Sequence, residues 1–143
     1  EGPERDSLAQ QIERAGLQQR VFLVGRVGNM QWWYSQADLF VLSSRSEGLS
    51  NSLQEAMSCG LPCVAYDCDV GPRELIRHDI DGYLVSQTES VDALKDSIVS
   101  LIRDPQRMED YARRAVDMRD RYSMRRISGM WHKLFQDVLQ NKR

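Results

Sequence analysis

The 143-residue sequence lacks a long hydrophobic run and has no surplus of charge of either sign. No stretch of about 18 apolar residues could cross a bilayer, and no apolar segment with a cleavage site stands at its start. A net charge of −2 argues against bulk attraction to nucleic acid, which needs an excess of Lys and Arg. These absences favour a cytoplasmic protein with no nucleic-acid partner.

Cysteine and histidine are also scarce, with three Cys and two His. Cys59 and Cys63 lie close together, but the residues between them lead into a predicted strand, and His78 and His132 are far away. Zinc ligands normally come in more complete sets, so we expect no metal site. Together with Cys68, these cysteines are predicted to be buried free thiols, which is typical of a reducing compartment.

The C-terminal part of the chain is locally basic. Residues 103–143 hold eleven Lys or Arg against six Asp or Glu, although the whole chain is slightly acidic. We interpret this excess as the solvated face of helices, because acidic residues are interspersed along it. Binding of a partner, or peripheral association with the inner face of a membrane, is the alternative.

Short apolar runs alternate with segments of helical periodicity, which predicts an α/β fold. The predicted strands are 21–24, 39–42, 63–66 and 82–85, and the predicted helices are 7–15, 30–36, 50–58, 72–76 and 91–103. Because the runs are apolar at successive positions, we expect a Rossmann-like parallel sheet that helices cover on both faces. The pattern after residue 105 is helical to the end, so we divide the chain into a domain of residues 1–105 and a helical segment, 106–143, that packs on it.

The junction between the second predicted strand and its helix carries two carboxylates. Glu47 and Glu55 lie eight positions apart, and Gly48 directly follows the first. Helix N-termini at the carboxyl ends of parallel strands present unpaired N–H groups, so an anionic ligand is expected here. A glycine allows the backbone to approach a ligand closely. Ser50 or Asn51 also suits an ordinary N-cap, which is compatible with an anion site.

Five segments occur in a characteristic order and spacing. They are Gly2-Pro3-Glu4-Arg5, Val21-Phe22-Leu23-Val24-Gly25, Ala37-Asp38-Leu39-Phe40-Val41-Leu42-Ser43-Ser44, Glu47-x7-Glu55-Ala56-Met57-x2-Gly60-x-Pro62, and Gly71-Pro72-Arg73-Glu74-Leu75-x6-Gly82-x-Leu84-Val85. With this spacing the sequence resembles the C-terminal, nucleotide-sugar-binding domain of GT-B-fold retaining glycosyltransferases, group 1 (family 4).

The resemblance implies an enzyme that moves a hexose from a nucleotide-sugar to a polysaccharide, lipid or other glycan acceptor. A UDP-sugar is first among the candidate donors, and the implied reaction uses no metal ion and no other cofactor. Glu47 would be the catalytic residue, stabilising positive charge near the transferring carbon, and Glu55 would bind the ribose hydroxyls. The implied donor-binding residues are Gly25, Arg26, Val27, Glu47, Gly48, Leu49, Ser50, Asn51, Leu53 and Glu55.

The resemblance does not assign a role to the segment 72–74 or to the aromatic run at 32–34. Arg73 could approach the diphosphate, whereas Pro72 suits a first helical turn and Glu74 a structural brace. Of the adjacent aromatics in 32–34, at least one should pack against the sheet, since three successive residues cannot share one face of a helix. Stacking on the nucleotide base is the alternative for the others.

The sequence also departs from the family pattern, because the N-terminal acceptor domain, the first two strands and the basic residues that follow the first strand are not in it. We therefore expect the chain to be N-terminally truncated and to have no transferase activity alone. Trp131, Leu134 and Phe135 would then be exposed and could support self-association. A sugar-nucleotide epimerase or a non-catalytic nucleotide-binding module is the alternative function.

Overall fold

The computed structural model describes residues 2–86 and 90–140, and the chain separates into two compact units, Glu1–Trp32 and Trp33–Arg143. Three strands are present in the described residues: β1 (Phe40–Leu42), β2 (Cys63–Asp67) and β3 (Tyr83–Ser86). The helices are α1 (Arg5–Arg14), α2 (Met30–Ser35), α3 (Asn51–Ser58), α4 (Pro72–Leu75), α5 (Val91–Ile102), α6 (Pro105–Ala115), α7 (Met118–Arg121) and α8 (Met124–Gln140). None of the helices in the described residues is both long and apolar enough to cross a membrane.

The predicted strand at residues 21–24 is wrong. This segment has no regular secondary structure, and Phe22 is 67% exposed. The Arg5 guanidinium contacts it, with Nη2 donating to the Leu23 carbonyl at 2.9 Å. An apolar run becomes a strand only where a neighbouring strand completes its hydrogen bonds, and no strand of the described residues pairs with this one.

The sheet lies in the second unit and is entirely parallel, in the order β1-β2-β3. Phe40 of β1 is level with Cys63 of β2, and Val64 of β2 is level with Tyr83 of β3. Each crossover passes through a helix, α3 between β1 and β2 and α4 between β2 and β3. The three predicted strands of this unit are confirmed to within one residue, and the carboxyl ends of β1 and β2 share one edge of the sheet.

The central strand β2 contributes side chains to two core clusters, one on each face of the sheet, because alternate side chains of a strand point to opposite faces. Cys63 and Ala65 are buried with residues of α3, α6 and α7, among them Leu53 and Met57. The intervening residues of β2 are buried on the other face with residues of α5 and α6. This burial on both faces explains why β2 reads as a continuous apolar run.

Part of the C-terminal helical segment is attached through a buried carboxylate. Asp81 has no exposed surface and accepts from the Arg77 backbone N–H at 2.7 Å, from Arg77 Nε at 2.6 Å and from Arg121 Nη1 of α7 at 3.2 Å. Arg77 Nη2 also donates to Asp117 at 2.7 Å, and this bond lowers the pKa of that carboxyl. The helices α6 and α7 therefore belong to the same core as the sheet, whereas α8 has no buried residue. The domain division at residue 105 stays a prediction.

The cysteines differ from the prediction at one position. Cys63 and Cys68 are buried, but Cys59 is exposed, because it is the C-cap residue of α3 and lies beyond the buried face of that helix. Burial raises the pKa of the Cys63 thiol above its usual range, so this group remains a neutral thiol in the core.

Candidate functional site

The loop after β1, residues 43–50, carries the first of the two predicted carboxylates. Glu47 is half-buried, while Gly48 and Leu49 are exposed. The loop ends at Ser50, the N-cap of α3, which is buried and has extended backbone angles of φ −70° and ψ 106°. The exposed backbone of this loop therefore leads directly into the N-terminus of α3, at the carboxyl edge of the sheet.

A second loop, residues 68–71 after β2, packs directly on the first. Gly71 has φ +93°, and a Cβ built on it would lie 2.0 Å from the Gly48 carbonyl oxygen and 3.5 Å from Glu47 Cβ. The Cys68 thiol donates to the Ser44 carbonyl at 3.3 Å, which joins the same two loops at a second point. Only glycine fits at position 71, both for its backbone angles and for this close approach.

The N-terminus of α3 has no side-chain cap. The hydroxyl of Ser50 makes no capping hydrogen bond and instead lies 3.2 Å from the hydroxyl of Ser52. Ser50 therefore supplies no side-chain acceptor to the N–H groups of the first turn, and the positive end of the helix dipole lies among them. Asn51 is exposed here, whereas the Leu53 side chain is completely buried, so only the Leu53 backbone could meet a ligand.

Glu55 lies one turn further along α3 and is exposed at the helix surface. Its carboxylate is held by Tyr34 of α2, whose hydroxyl lies 3.1 Å from Glu55 Oε2 and 3.3 Å from the Ser52 carbonyl. Tyr34 is only 6% exposed. Burial, together with the hydrogen bond to Glu55, raises the Tyr34 pKa to about 12, so the phenol remains a proton donor.

Arg73 is already occupied by a protein carboxylate. Its Nε and Nη2 donate to the two oxygens of Asp67, at the end of β2, at 2.9 and 3.0 Å. This bidentate pair raises the Arg73 pKa above its ordinary value. It also joins the two ends of the 68–71 loop, which contains Gly71. The backbone carbonyl of Glu74 accepts from Arg121 Nη2 and from the Tyr122 hydroxyl, so α4 is tied to α7 and the residue that follows it.

The remaining predicted donor-binding residues belong to the first unit. Gly25 has φ +69°, Arg26 is exposed and Val27 is half-buried. They follow the segment 21–24 and are described with the first unit alone. Within 2–86 and 90–140, no group of three or more His, Cys, Asp or Glu side chains is arranged to hold a metal ion.

The sequence did not predict the roles of Tyr34 and Gly71. The aromatic run at 32–34 indicated that one ring would be buried, and Tyr34 is that ring, but nothing indicated its bond to Glu55. For Gly71 a signal existed, because Gly-Pro marks a turn in which the glycine often adopts positive φ. Its contact with Gly48 joins residues far apart in sequence and needed the structure.

The arrangement offers hydrogen-bond donors and acceptors side by side. Backbone N–H groups at the start of α3 suit anionic oxygens, and the Glu55 carboxylate suits hydroxyl groups. Both lie at the carboxyl edge of a parallel sheet, where doubly wound α/β proteins bind their ligands. The fold thus defines an α/β domain of the Rossmann-like class, with a candidate site at this edge of its sheet.

Comparison with known proteins identifies the family. Residues 1–118 match the model of the family described as "Glycosyl transferases group 1". Among curated proteins, the chain is 32% identical over 143 residues to an exopolysaccharide phosphotransferase of Streptomyces coelicolor, covering 99% of this chain and 15% of the relative. It is 33% identical over 122 residues to poly(glycerol-phosphate) alpha-glucosyltransferase of Bacillus subtilis, covering 85% of this chain and 18% of the relative.

A solved structure extends the likeness to three dimensions. HepE of Anabaena, in complex with UDP, matches with a TM-score of 0.81 and 29% identity, over 94% of this chain and 38% of HepE. The same protein has also been solved with UDP-glucose. The chain belongs to the group 1 glycosyltransferase family, and the resemblance to GT-B enzymes is confirmed. It spans less than a fifth of the length of the two curated relatives.

Proposed function

We propose that this chain is the donor-binding part of a retaining glycosyltransferase, which moves a hexose from a nucleotide-sugar to a polysaccharide, lipid or other glycan acceptor. The observation that carries the proposal is the placement of Glu47 and Glu55 on either side of the uncapped N-terminus of α3. The 143 residues by themselves are expected to bind donor and to transfer nothing.

Each part of a nucleotide-sugar has a matching group in the site. The ribose hydroxyls donate to the carboxylate of Glu55, and the diphosphate oxygens accept from backbone N–H groups of residues 49–51. The sugar then lies toward Glu47, whose negative charge favours an oxocarbenium-like transition state. In this proposal the positive end of α3, rather than a metal ion, meets the charge of the diphosphate.

The donor class is proposed from the relatives. HepE, at 29% identity, has been solved with UDP and with UDP-glucose, which favours a UDP-sugar as the donor here. We also infer a reducing, cytoplasmic location, supported by the buried free thiols of Cys63 and Cys68.

Calorimetric titration of the chain with UDP, GDP and ADP tests the proposal. We expect saturable binding of UDP, weakened about 10-fold or more by Glu55→Ala, since hydrogen bonds to a charged group are among the stronger ones. The matched control is Glu109→Ala, which removes an exposed glutamate of α6 and should leave affinity unchanged. Absence of UDP binding by the folded chain, or equal weakening by both variants, would overturn the proposal.

A further inference from the structure

The ring of Tyr34 is buried in the core, yet its hydroxyl lies beside the carboxylate of Glu55. The ring belongs to the core and meets Phe40, the first residue of β1, edge-on with centroids 6.1 Å apart. From this fixed position the hydroxyl lies 3.1 Å from Glu55 Oε2 and 3.3 Å from the carbonyl of Ser52. A flexible, exposed glutamate is therefore tied to the sheet through one rigid aromatic ring.

We propose that Tyr34 is a positioning residue that fixes the Glu55 carboxylate in the orientation that receives two neighbouring hydroxyls of a ribose. This inference rests on the proposed function, in which Glu55 binds the ribose of the donor. It adds a residue that never touches the ligand and acts only through Glu55.

The hydrogen-bonding capacity of the carboxylate supports this role. An ionised carboxylate has two oxygens with about four acceptor sites, and the Tyr34 hydroxyl uses one of them on Oε2. The sites that remain are enough for the O2 and O3 hydroxyls of a ribose to donate together. A free glutamate would lose side-chain entropy when it binds, and a glutamate already held by Tyr34 loses less.

The phenol also has two acceptors for its single proton. With one O–H it donates either to Glu55 or to the Ser52 carbonyl, both of which belong to α3. Burial keeps this proton in place up to strongly alkaline pH. The hydroxyl therefore remains a donor to α3 under all conditions in which the site would work.

The test compares UDP with 2′-deoxy-UDP in four forms of the chain: wild type, Tyr34→Phe, Glu55→Ala and Tyr66→Phe. Wild type should prefer UDP, and Tyr34→Phe should lose most of that preference, with UDP affinity falling about 5- to 10-fold. Tyr66→Phe is the matched control, because Tyr66 is a buried tyrosine of the opposite core cluster. It should keep the preference.

The outcomes separate this inference from the proposed function. If Glu55→Ala keeps the preference for UDP, the assignment of Glu55 to the ribose fails, and this inference fails with it. If Glu55→Ala abolishes the preference but Tyr34→Phe lowers affinity for both nucleotides equally, only the positioning role is overturned, since a merely structural tyrosine would act on both.

Wild-type protein labelled with 3-fluorotyrosine gives a second readout that needs no variant. UDP should shift one buried tyrosine resonance in the fluorine spectrum, and 2′-deoxy-UDP should shift it less, because it makes one fewer bond to Glu55. Identical tyrosine shifts with both nucleotides would overturn the proposal even if Tyr34→Phe failed to fold.

Discussion

Gly71 lies against Gly48 so closely that a Cβ on the first would be 2.0 Å from the carbonyl oxygen of the second. The two glycines belong to loops that follow neighbouring parallel strands, β1 and β2. The backbone beside Glu47 is therefore held by a residue of the next crossover. The position of the proposed catalytic carboxylate depends on this contact between two loops.

Gly71→Ala should destabilise the chain and displace the 43–50 loop, because the new methyl group would overlap the Gly48 carbonyl. We expect a loss of about 2 kcal/mol or more in the free energy of unfolding, measured by urea denaturation. Gly60→Ala is the matched control, since Gly60 also has positive φ but would meet only ordinary contacts, the nearest at 3.4 Å. Equal losses for the two variants would show that the contact with Gly48 does not matter.

Asp81→Asn should destabilise the chain strongly, because two arginines converge on a carboxylate that has no exposed surface. Removing one partner of such a buried group typically costs about 3–5 kcal/mol, and urea denaturation would measure it. Asp92→Asn provides the comparison, because the Asp92–Lys95 pair is exposed on α5. A loss no larger for Asp81→Asn than for Asp92→Asn would contradict the anchoring role of this cluster.

Stability should fall at alkaline pH partly through Tyr34. Its pKa is about 12 in the folded chain against 10.0 ordinarily, so the folded state keeps a proton that the unfolded state releases. This contribution is complete below pH 10 and is lost as the pH rises toward 12. Between pH 9 and about 11.5, the free energy of unfolding measured by urea denaturation should fall more steeply with pH for wild type than for Tyr34→Phe. Parallel declines would contradict the assigned pKa.

Glu47→Ala should separate transfer from binding. With the 143 residues joined to an acceptor domain, we expect at least about a 100-fold loss of sugar transfer. UDP affinity should change little, because Glu47 acts on the charge of the transition state. Radiolabelled donor would measure transfer and calorimetry would measure affinity. Unchanged turnover would refute the catalytic role and favour a module that only binds nucleotide.

The helix α8 should promote self-association of the isolated chain. It has no buried residue, and its apolar face contains a surface cavity of about 430 Å³ lined by Ile127, Met130, Trp131 and Leu134. Light scattering should show species larger than a monomer, and Trp131→Glu should reduce them. A monodisperse monomer for the wild type would contradict this prediction.

Sequence patterns predicted the sheet of the second unit well. The strand β2 is buried on both faces. A short, continuous apolar run of this kind is typical of a central strand in a parallel sheet. The run at 21–24 has the same pattern, but strand formation depends on a partner that periodicity cannot reveal. The burial of Cys59 was mispredicted although the end of α3 at Ser58 was predicted correctly, because the general tendency of free cysteine to be buried does not specify the surroundings of a particular residue.

The site was predicted only in part. Glu47, Gly48 and Glu55 could be placed at a strand-to-helix junction from local sequence alone. The residues that support them could not, because Tyr34 is 21 positions from Glu55 in the sequence, and α3 and β2 separate the loops of Gly48 and Gly71. Such contacts arise from tertiary packing, and no local pattern specifies them.

A crystal structure of the chain with UDP-glucose would test the central claim most directly. We expect ribose hydroxyls within hydrogen-bond distance of the Glu55 carboxylate, diphosphate oxygens at the first turn of α3, and the glucose toward Glu47. Nucleotide bound elsewhere, with the Glu55 carboxylate facing solvent, would contradict the assignment of this edge of the sheet as the donor site.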